Sequence, residues 1–240
     1  MRLIRIEAIV LRSERSGEKD RVVYLLTREL GLIRAGAKGK KWGSRLEPGA
    51  VIKGLVYTGK GYTLTEGELL LSHQALRKDL ILWNYTSLVL ESAFKAVLPG
   101  EKDAPLYELV NTTLGLLENS SVPLKITLAY FLKLFSLSGY TPDLKNCVVC
   151  GAVRGDGYLS HKNGGYVCLS CGVGKGLPML SIAELSLLEG LRTTPMEELS
   201  ISGEVPGIRL SRALFGYFEG VFEFKLHSAE VLEQLFTAFK

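Results

Sequence analysis

No stretch of this 240-residue chain approaches 18 uncharged apolar residues, so a membrane-spanning helix is excluded. The first 14 residues carry charges inside their apolar stretch and lack a small-residue cleavage site. They do not read as a secretory signal, and cytosolic residence is the default expectation. There is no low-complexity tract, internal repeat or D-x-D carboxylate cluster. Only three histidines occur: His73, His161 and His227. They are scattered, with no acid–nucleophile pattern beside them, and each reads as a surface histidine. Nothing supports hydrolysis, phosphoryl transfer or redox chemistry, so the chain is not expected to be an enzyme. Gly54 to Lys60 fits G-x-x-x-x-G-K, but Gly61 follows where a Mg2+-binding hydroxyl should stand. The segment also lies between strands, so it is not a P-loop.

Cysteine is equally sparse, and its arrangement is the most informative feature. The four cysteines form two identical pairs, Cys147–Cys150 and Cys168–Cys171, in the pattern C-x2-C-x17-C-x2-C. That spacing falls in the window of a four-cysteine zinc site. Each pair presents two thiolates on one turn, and two such turns complete a tetrahedron. Glycine follows each pair, Gly151 and Gly172, as a tight knuckle turn needs. Four sulfur ligands leave no open coordination position, so one Zn2+ is expected in a structural role. The alternative, two disulfides, suits an oxidising compartment for which there is no signal.

A composition 47% hydrophobic and 22% charged suits a globular protein. The net charge of +4 is unevenly shared. Residues 1–80 hold 16 basic against 9 acidic residues, and the remainder 13 against 16. A basic first third suggests a polyanionic partner.

Periodicity separates two domains, 1–72 and 73–240, in an α+β chain. Ile4, Ile6, Ala8 and Val10 alternate as in a half-buried strand, followed by a polar loop over 13–20. Further strands are predicted at 21–27, 32–38, 50–58 and 62–71. Five short strands with glycine-rich connections fit a small closed barrel of the OB type. Beyond residue 72 the period becomes helical. One long helix is predicted over 75–98, stopped by Pro99-Gly100, and another behind Asp103 as N-cap. A stripe Leu124, Leu128, Phe131, Leu132, Phe135 precedes the cysteine module at about 146–173. Ser181 to Glu184 spells a capping box. Apolar positions then recur over 209–225, and a last helix, with Ser228 as cap, carries Leu232, Leu235, Phe236 and Phe239.

Between Arg34 and Arg45 stand five basic residues and no acidic one. Arg34, Gly36 and Lys38 share one face of a strand. Lys40, Lys41 and Arg45 follow, with Trp42 and Ser44 among them. Basic residues neutralise phosphates, Ser44 can bond a phosphate oxygen, and an exposed Trp42 can stack on a base. The alternative for Trp42 is packing in the barrel core.

These pieces resemble the RecO family of bacterial recombination mediators. The resemblance is carried by Glu7-Ala-Ile-Val-Leu-Arg12, Gly17-Glu18-Lys-Asp20 and Leu26-Thr27-Arg-Glu-Leu-Gly31. It continues in Ala37-Lys38-Gly39-Lys40-Lys41 with Ser44-Arg45, in Leu226-His227-Ser228, and in a cysteine module set within a helical domain. Trp42-Gly43 departs from the family, whose members often carry basic residues or proline there. The resemblance implies an OB-fold, a helical domain with an inserted zinc module, and binding and annealing of single- and double-stranded DNA. It also implies partnership with RecR and single-stranded-DNA-binding protein, and through them RecA loading. A zinc-stabilised, non-enzymatic scaffold whose basic barrel serves a protein or RNA partner is the alternative. A metal-dependent hydrolase is a weaker third.

Overall fold

The computed structural model describes residues 2–97, 101–172, 176–199 and 206–238. The Pro99-Gly100 stop, position 173 of the cysteine module and Phe239 lie outside them. The chain divides into two compact units, Met1–Glu118 and Asn119–Lys240. No helix among the described residues is long and apolar enough to cross a membrane.

The first unit opens with β1 Arg2–Ser16, β2 Asp20–Thr27, β3 Gly31–Ala37, β4 Val51–Thr58 and β5 Tyr62–Leu71. They close a barrel in the order β1-β2-β3-β5-β4. Four pairings are antiparallel, and the closing one, Ala35–Ala37 against Tyr62–Leu64, is parallel. Period-two alternation turns Ile6, Ala8, Val10, Val23, Leu25, Ile33, Ala35, Ala37, Ile52 and Val56 into one core. Ile9 faces the other way yet is also fully buried, because the helices after the barrel pack on β1.

The polar loop expected at 13–20 is mostly strand. β1 and β2 continue pairing from Ser13↔Val23 to Ser16↔Asp20, and only Gly17–Lys19 forms the turn. The ribbon runs on past a β-bulge between Val10 and Arg12. Its end is largely exposed, so the backbone ladder, and not an apolar face, holds it. Hydrophobic periodicity carries no signal for such a strand.

Three helices complete this unit: α1 Gln74–Lys78, α2 Leu80–Ala96 and α3 Ala104–Glu118. The single helix expected over 75–98 is thus two. Asp79 breaks it, in an extended conformation, because its carboxylate accepts from the N–H groups of Ile81 and Leu82 (2.8 and 3.0 Å). Asp103 caps α3 through the N–H of Leu106 at 2.9 Å, as predicted. The Tyr107 hydroxyl donates to Glu7 at 2.9 Å, and Tyr24 meets Phe94 edge-on, so α2 and α3 belong with the barrel. The change of period at 72 marks the barrel's end, while the compact unit runs on to Glu118.

The second unit holds α4 Pro123–Leu137, β6 Gly157–Ser160, β7 Gly165–Cys168, the single turn α5 Leu169–Gly172, β8 Met179–Leu180, α6 Ile182–Thr193, α7 Ile208–Phe222 and α8 His227–Ala238. Its core is aromatic. Phe131 of α4 lies 5.1 and 5.3 Å from Phe215 and Phe218 of α7, and Phe135 lies 5.0 Å from Tyr217. Ser181 and Glu184 form the predicted capping box at the head of α6. The last helix starts one residue before the expected cap: Ser228 lies inside it, and the Leu226 carbonyl accepts from Ala229 and Glu230.

Candidate metal centre and nucleic-acid interface

The two cysteine knuckles are built differently. In the first, the Gly151 N–H returns to the Cys147 carbonyl at 2.8 Å and the Cys147 N–H bonds the Ala152 carbonyl at 2.9 Å. Gly151 sits at φ 75°, where a side chain would be strained. In the second, Cys168 ends β7, and α5 carries Cys171 round to the same side. Gly172 serves this knuckle in another way than expected. Its φ is not positive; instead a Cβ there would lie 2.2 Å from the Tyr158 ring, so its lack of a side chain makes room for that ring.

The Val148 N–H bonds the Tyr166 carbonyl at 3.0 Å, stitching the first knuckle to the strand that bears the second. All four sulfurs consequently lie within 4.8 Å of one another, and Cys150 and Cys168 are 3.8 Å apart. A tetrahedron with metal–sulfur bonds of about 2.3 Å has edges of about 3.8 Å. The four residues could therefore hold a metal ion. Burial opposes charge on the Cys147 thiol, yet N–H groups of Cys168, Cys150 and Val149 aim at its sulfur and bring it down to about 6. Hydrogen bonds with the Cys150 and Cys168 sulfurs, which favour the protonated thiol, push Cys171 up to about 12.

None of the histidines joins this cluster. His161 is half-buried with its ring against Gly220. His73 is a correction to the surface reading: it is buried and its Nδ1 lies 2.9 Å from Glu118. His227 is exposed, as expected.

The basic segment separates into distinct roles. Arg34 projects outward from β3 between Ile33 and Ala35, which point into the core, and Lys38 follows the strand end. Both are exposed. Residues Lys40–Leu46 then form a short helical segment kinked at Gly43. Here the Lys41 ammonium donates to the Thr65 carbonyl at 2.7 Å, and Arg45 reaches that of Gly67 at a long 3.5 Å. These are carbonyls of β5 beyond its pairing with β3, so two of the cations also fasten the loop. Ser44 is exposed; the side chain of Lys40 lies outside the described residues.

Trp42 takes the internal placement. It is 2% exposed, its indole N–H donates to the Lys38 carbonyl at 3.0 Å, and its ring lies against Gly67, where a Cβ would come within 2.9 Å. A ring so enclosed cannot stack on a base. Tryptophan is the largest apolar side chain in the segment, and burying it stabilises the loop more than exposure would.

The outer wall of the barrel holds a residue that sequence reasoning passed over. Arg12, Tyr24 and Arg34 are direct cross-strand partners on β1, β2 and β3. Tyr24 is half-buried between the buried Val23 and Leu25. Its outward position was readable from that alternation.

Comparison with known proteins fits this architecture. The family model for the Recombination protein O N terminal matches residues 1–73, and that for the Recombination protein O C terminal matches 77–230. The chain belongs to the RecO family. Among RecO-family relatives, the DNA repair protein RecO of Thermoanaerobacter sp. (strain X514) is 34% identical over 178 residues, 71% of this chain and 72% of the relative. That of Bacillus subtilis (strain 168) is 34% identical, covering 70% and 69%. That of Cutibacterium acnes (strain DSM 16379 / KPA171202) is 34% identical, covering 70% and 73%. The RecO N-terminal match ends two residues beyond the last barrel strand, so the OB-fold barrel is the family's N-terminal domain.

Proposed function

We propose that this RecO-family chain is a mediator of recombinational DNA repair that binds single- and double-stranded DNA through its barrel. One observation carries the reading. Arg34, Lys38, Lys41 and Arg45 are exposed, fall within twelve consecutive residues that hold no acidic side chain, and have no carboxylate partner among the described residues. Uncompensated cations on one segment displace condensed counterions when they meet phosphate. Such contacts ignore sequence and leave base edges free. They also screen the repulsion between two strands, which is the physical requirement for annealing. In this reading the protein acts with RecR and single-stranded-DNA-binding protein so that RecA is loaded, in the cytoplasm at the nucleoid.

The ion of the cysteine cluster is, on this proposal, one Zn2+ with a structural role. Thiolates are soft donors that suit it, and four of them leave no position for water or substrate. The chain therefore acts by binding and has no catalytic step. A protein-docking role has its own support: Val149, Val153 and Leu169 stand exposed on or beside the knuckles.

Binding of labelled single-stranded DNA across a salt series tests the proposal. Steep weakening with salt supports it. Salt-insensitive binding, or none at low salt, overturns it.

A further inference from the structure

With Trp42 buried, the barrel needs another ring if it is to hold a base. We propose that Tyr24 is a base-stacking residue, and that single-stranded DNA crosses the outer wall of β1, β2 and β3 with one base on Tyr24 and phosphates on Arg34 and Lys38. This inference rests on the DNA-binding reading above and adds to it a ligand group, the nucleobase, and a path.

Geometry assembles the platform. Arg12↔Tyr24 and Tyr24↔Arg34 are register partners, so the three side chains form one row across three strands on the outer face. The ring is braced before any ligand arrives. Phe94 meets it edge-on, with centroids 5.2 Å apart and planes at 84°, and the Arg12 guanidinium lies 5.9 Å from its centroid. A ring held this way loses little further freedom when a base stacks. The Tyr24 hydroxyl has no hydrogen-bond partner among the described residues, and the side chain is only half-buried.

The neighbouring positions supply charge and clearance. Arg12 is engaged by Glu14 at 2.7 Å, so Arg34 carries the row's uncompensated charge. The next outward row is Glu14, Val22 and Gly36. At Gly36 nothing lies within 4 Å of where a Cβ would be, which leaves a low strip leading toward Lys38. Arg34 and Lys38 are four residues apart, about 13 Å along an extended chain. A strand lying there meets two free cations with an aromatic face beside the first. A duplex offers the same phosphates but keeps its base faces stacked inside. The ring should therefore distinguish single strands from duplex.

The experiment compares Tyr24→Leu and Tyr24→Phe with the unaltered full chain, using labelled oligo(dT), the same oligonucleotide with abasic residues, and a duplex hairpin. The expected result is about a tenfold loss of oligo(dT) affinity in Tyr24→Leu, retention in Tyr24→Phe, an unchanged salt slope, and no change with the duplex or abasic probes. Unaltered oligo(dT) binding by Tyr24→Leu overturns the inference while leaving the DNA-binding reading intact. Equal loss on oligo(dT) and duplex also overturns it, since that marks a structural effect. If the unaltered chain shows no salt-dependent DNA binding, the underlying reading fails instead.

Discussion

The cysteine module and the basic segment at 34–45 are each about the length of a loop and its flanks, and each stands out by residue type and spacing. In the module, four side chains converge on one point, with every sulfur within 4.8 Å of the others. In the basic segment the side chains diverge: Arg34 and Lys38 outward, Lys41 and Arg45 back onto β5 carbonyls, Trp42 into the core. The difference reflects what each chemistry demands. A metal requires ligands at fixed mutual distances, so knuckle spacing alone nearly dictates the geometry. Attraction to a polyanion requires only exposed charge, so spacing dictates little, and packing decides which members of the cluster remain available.

The largest expected effect tests the convergent half of this contrast. Metal removal by a chelator, or Cys150→Ser, should disorder the second unit's β6–β7 region while leaving the barrel folded. Structural zinc contributes roughly 10–16 kcal/mol in small modules. Elemental analysis should return about one Zn2+ per chain. A metal-free protein with native hydrogen-exchange protection around Tyr166 would break the comparison.

Next comes Trp42. If it is a core residue and does not touch the ligand, Trp42→Ala should destabilise the barrel by about 3–5 kcal/mol in chemical denaturation. Trp42→Phe should keep the protein folded with its DNA affinity nearly unchanged. Loss of affinity in a folded Trp42→Phe protein would return this side chain to the DNA interface.

The divergent half is sharpened by replacing Arg34 and Lys38 together with glutamine. Each cation that no longer meets a phosphate removes roughly 0.7 from the single-strand log–log salt slope, so this double variant should flatten it by about 1.4. The same change at Lys41 and Arg45 should flatten it too, and should in addition lower thermal stability, because those side chains also hold β5 carbonyls. Equal stability of the two double variants would erase the division of roles between the two pairs.

The smallest effect concerns the capping box beside the module. Ser181→Ala should cost about 1 kcal/mol. Burial works against the Glu184 carboxylate, but hydrogen bonds from Ser181 and the Arg209 guanidinium outweigh it and hold the group below its ordinary value. A depressed carboxylate contributes stability above the usual carboxylate range and loses it as pH falls through the lowered value. Thermal unfolding against pH should therefore show a shallower acid-side decline in Glu184→Gln than in the parent.

The five barrel strands, the Asp103 cap, the capping box and the clustering of the four cysteines were legible because each depends on neighbours in sequence: alternation, an N-terminal hydroxyl or carboxylate, a two-residue knuckle. What escaped reading was also close in sequence, but it was marked by backbone pairing or by a polar cap and not by apolar period. Ser13–Ser16 is strand because it pairs with Asp20–Val23, with no apolar pattern to reveal it. Asp79 was passed over as a helix interior position, although a carboxylate that can cap two N–H groups was visible there.

By itself the sequence determined a basic barrel, a helical remainder and a cluster of four cysteines, since period, charge balance and knuckle spacing are properties of adjacent residues. Tertiary structure alone decided that Trp42 is core, that Gly172 is glycine for the sake of Tyr158, that α1–α3 belong with the barrel, and that Tyr24 stands in a row with Arg12 and Arg34. Each of those outcomes follows from contacts between residues remote in sequence, where burial and close approach are settled only when the chain has closed on itself.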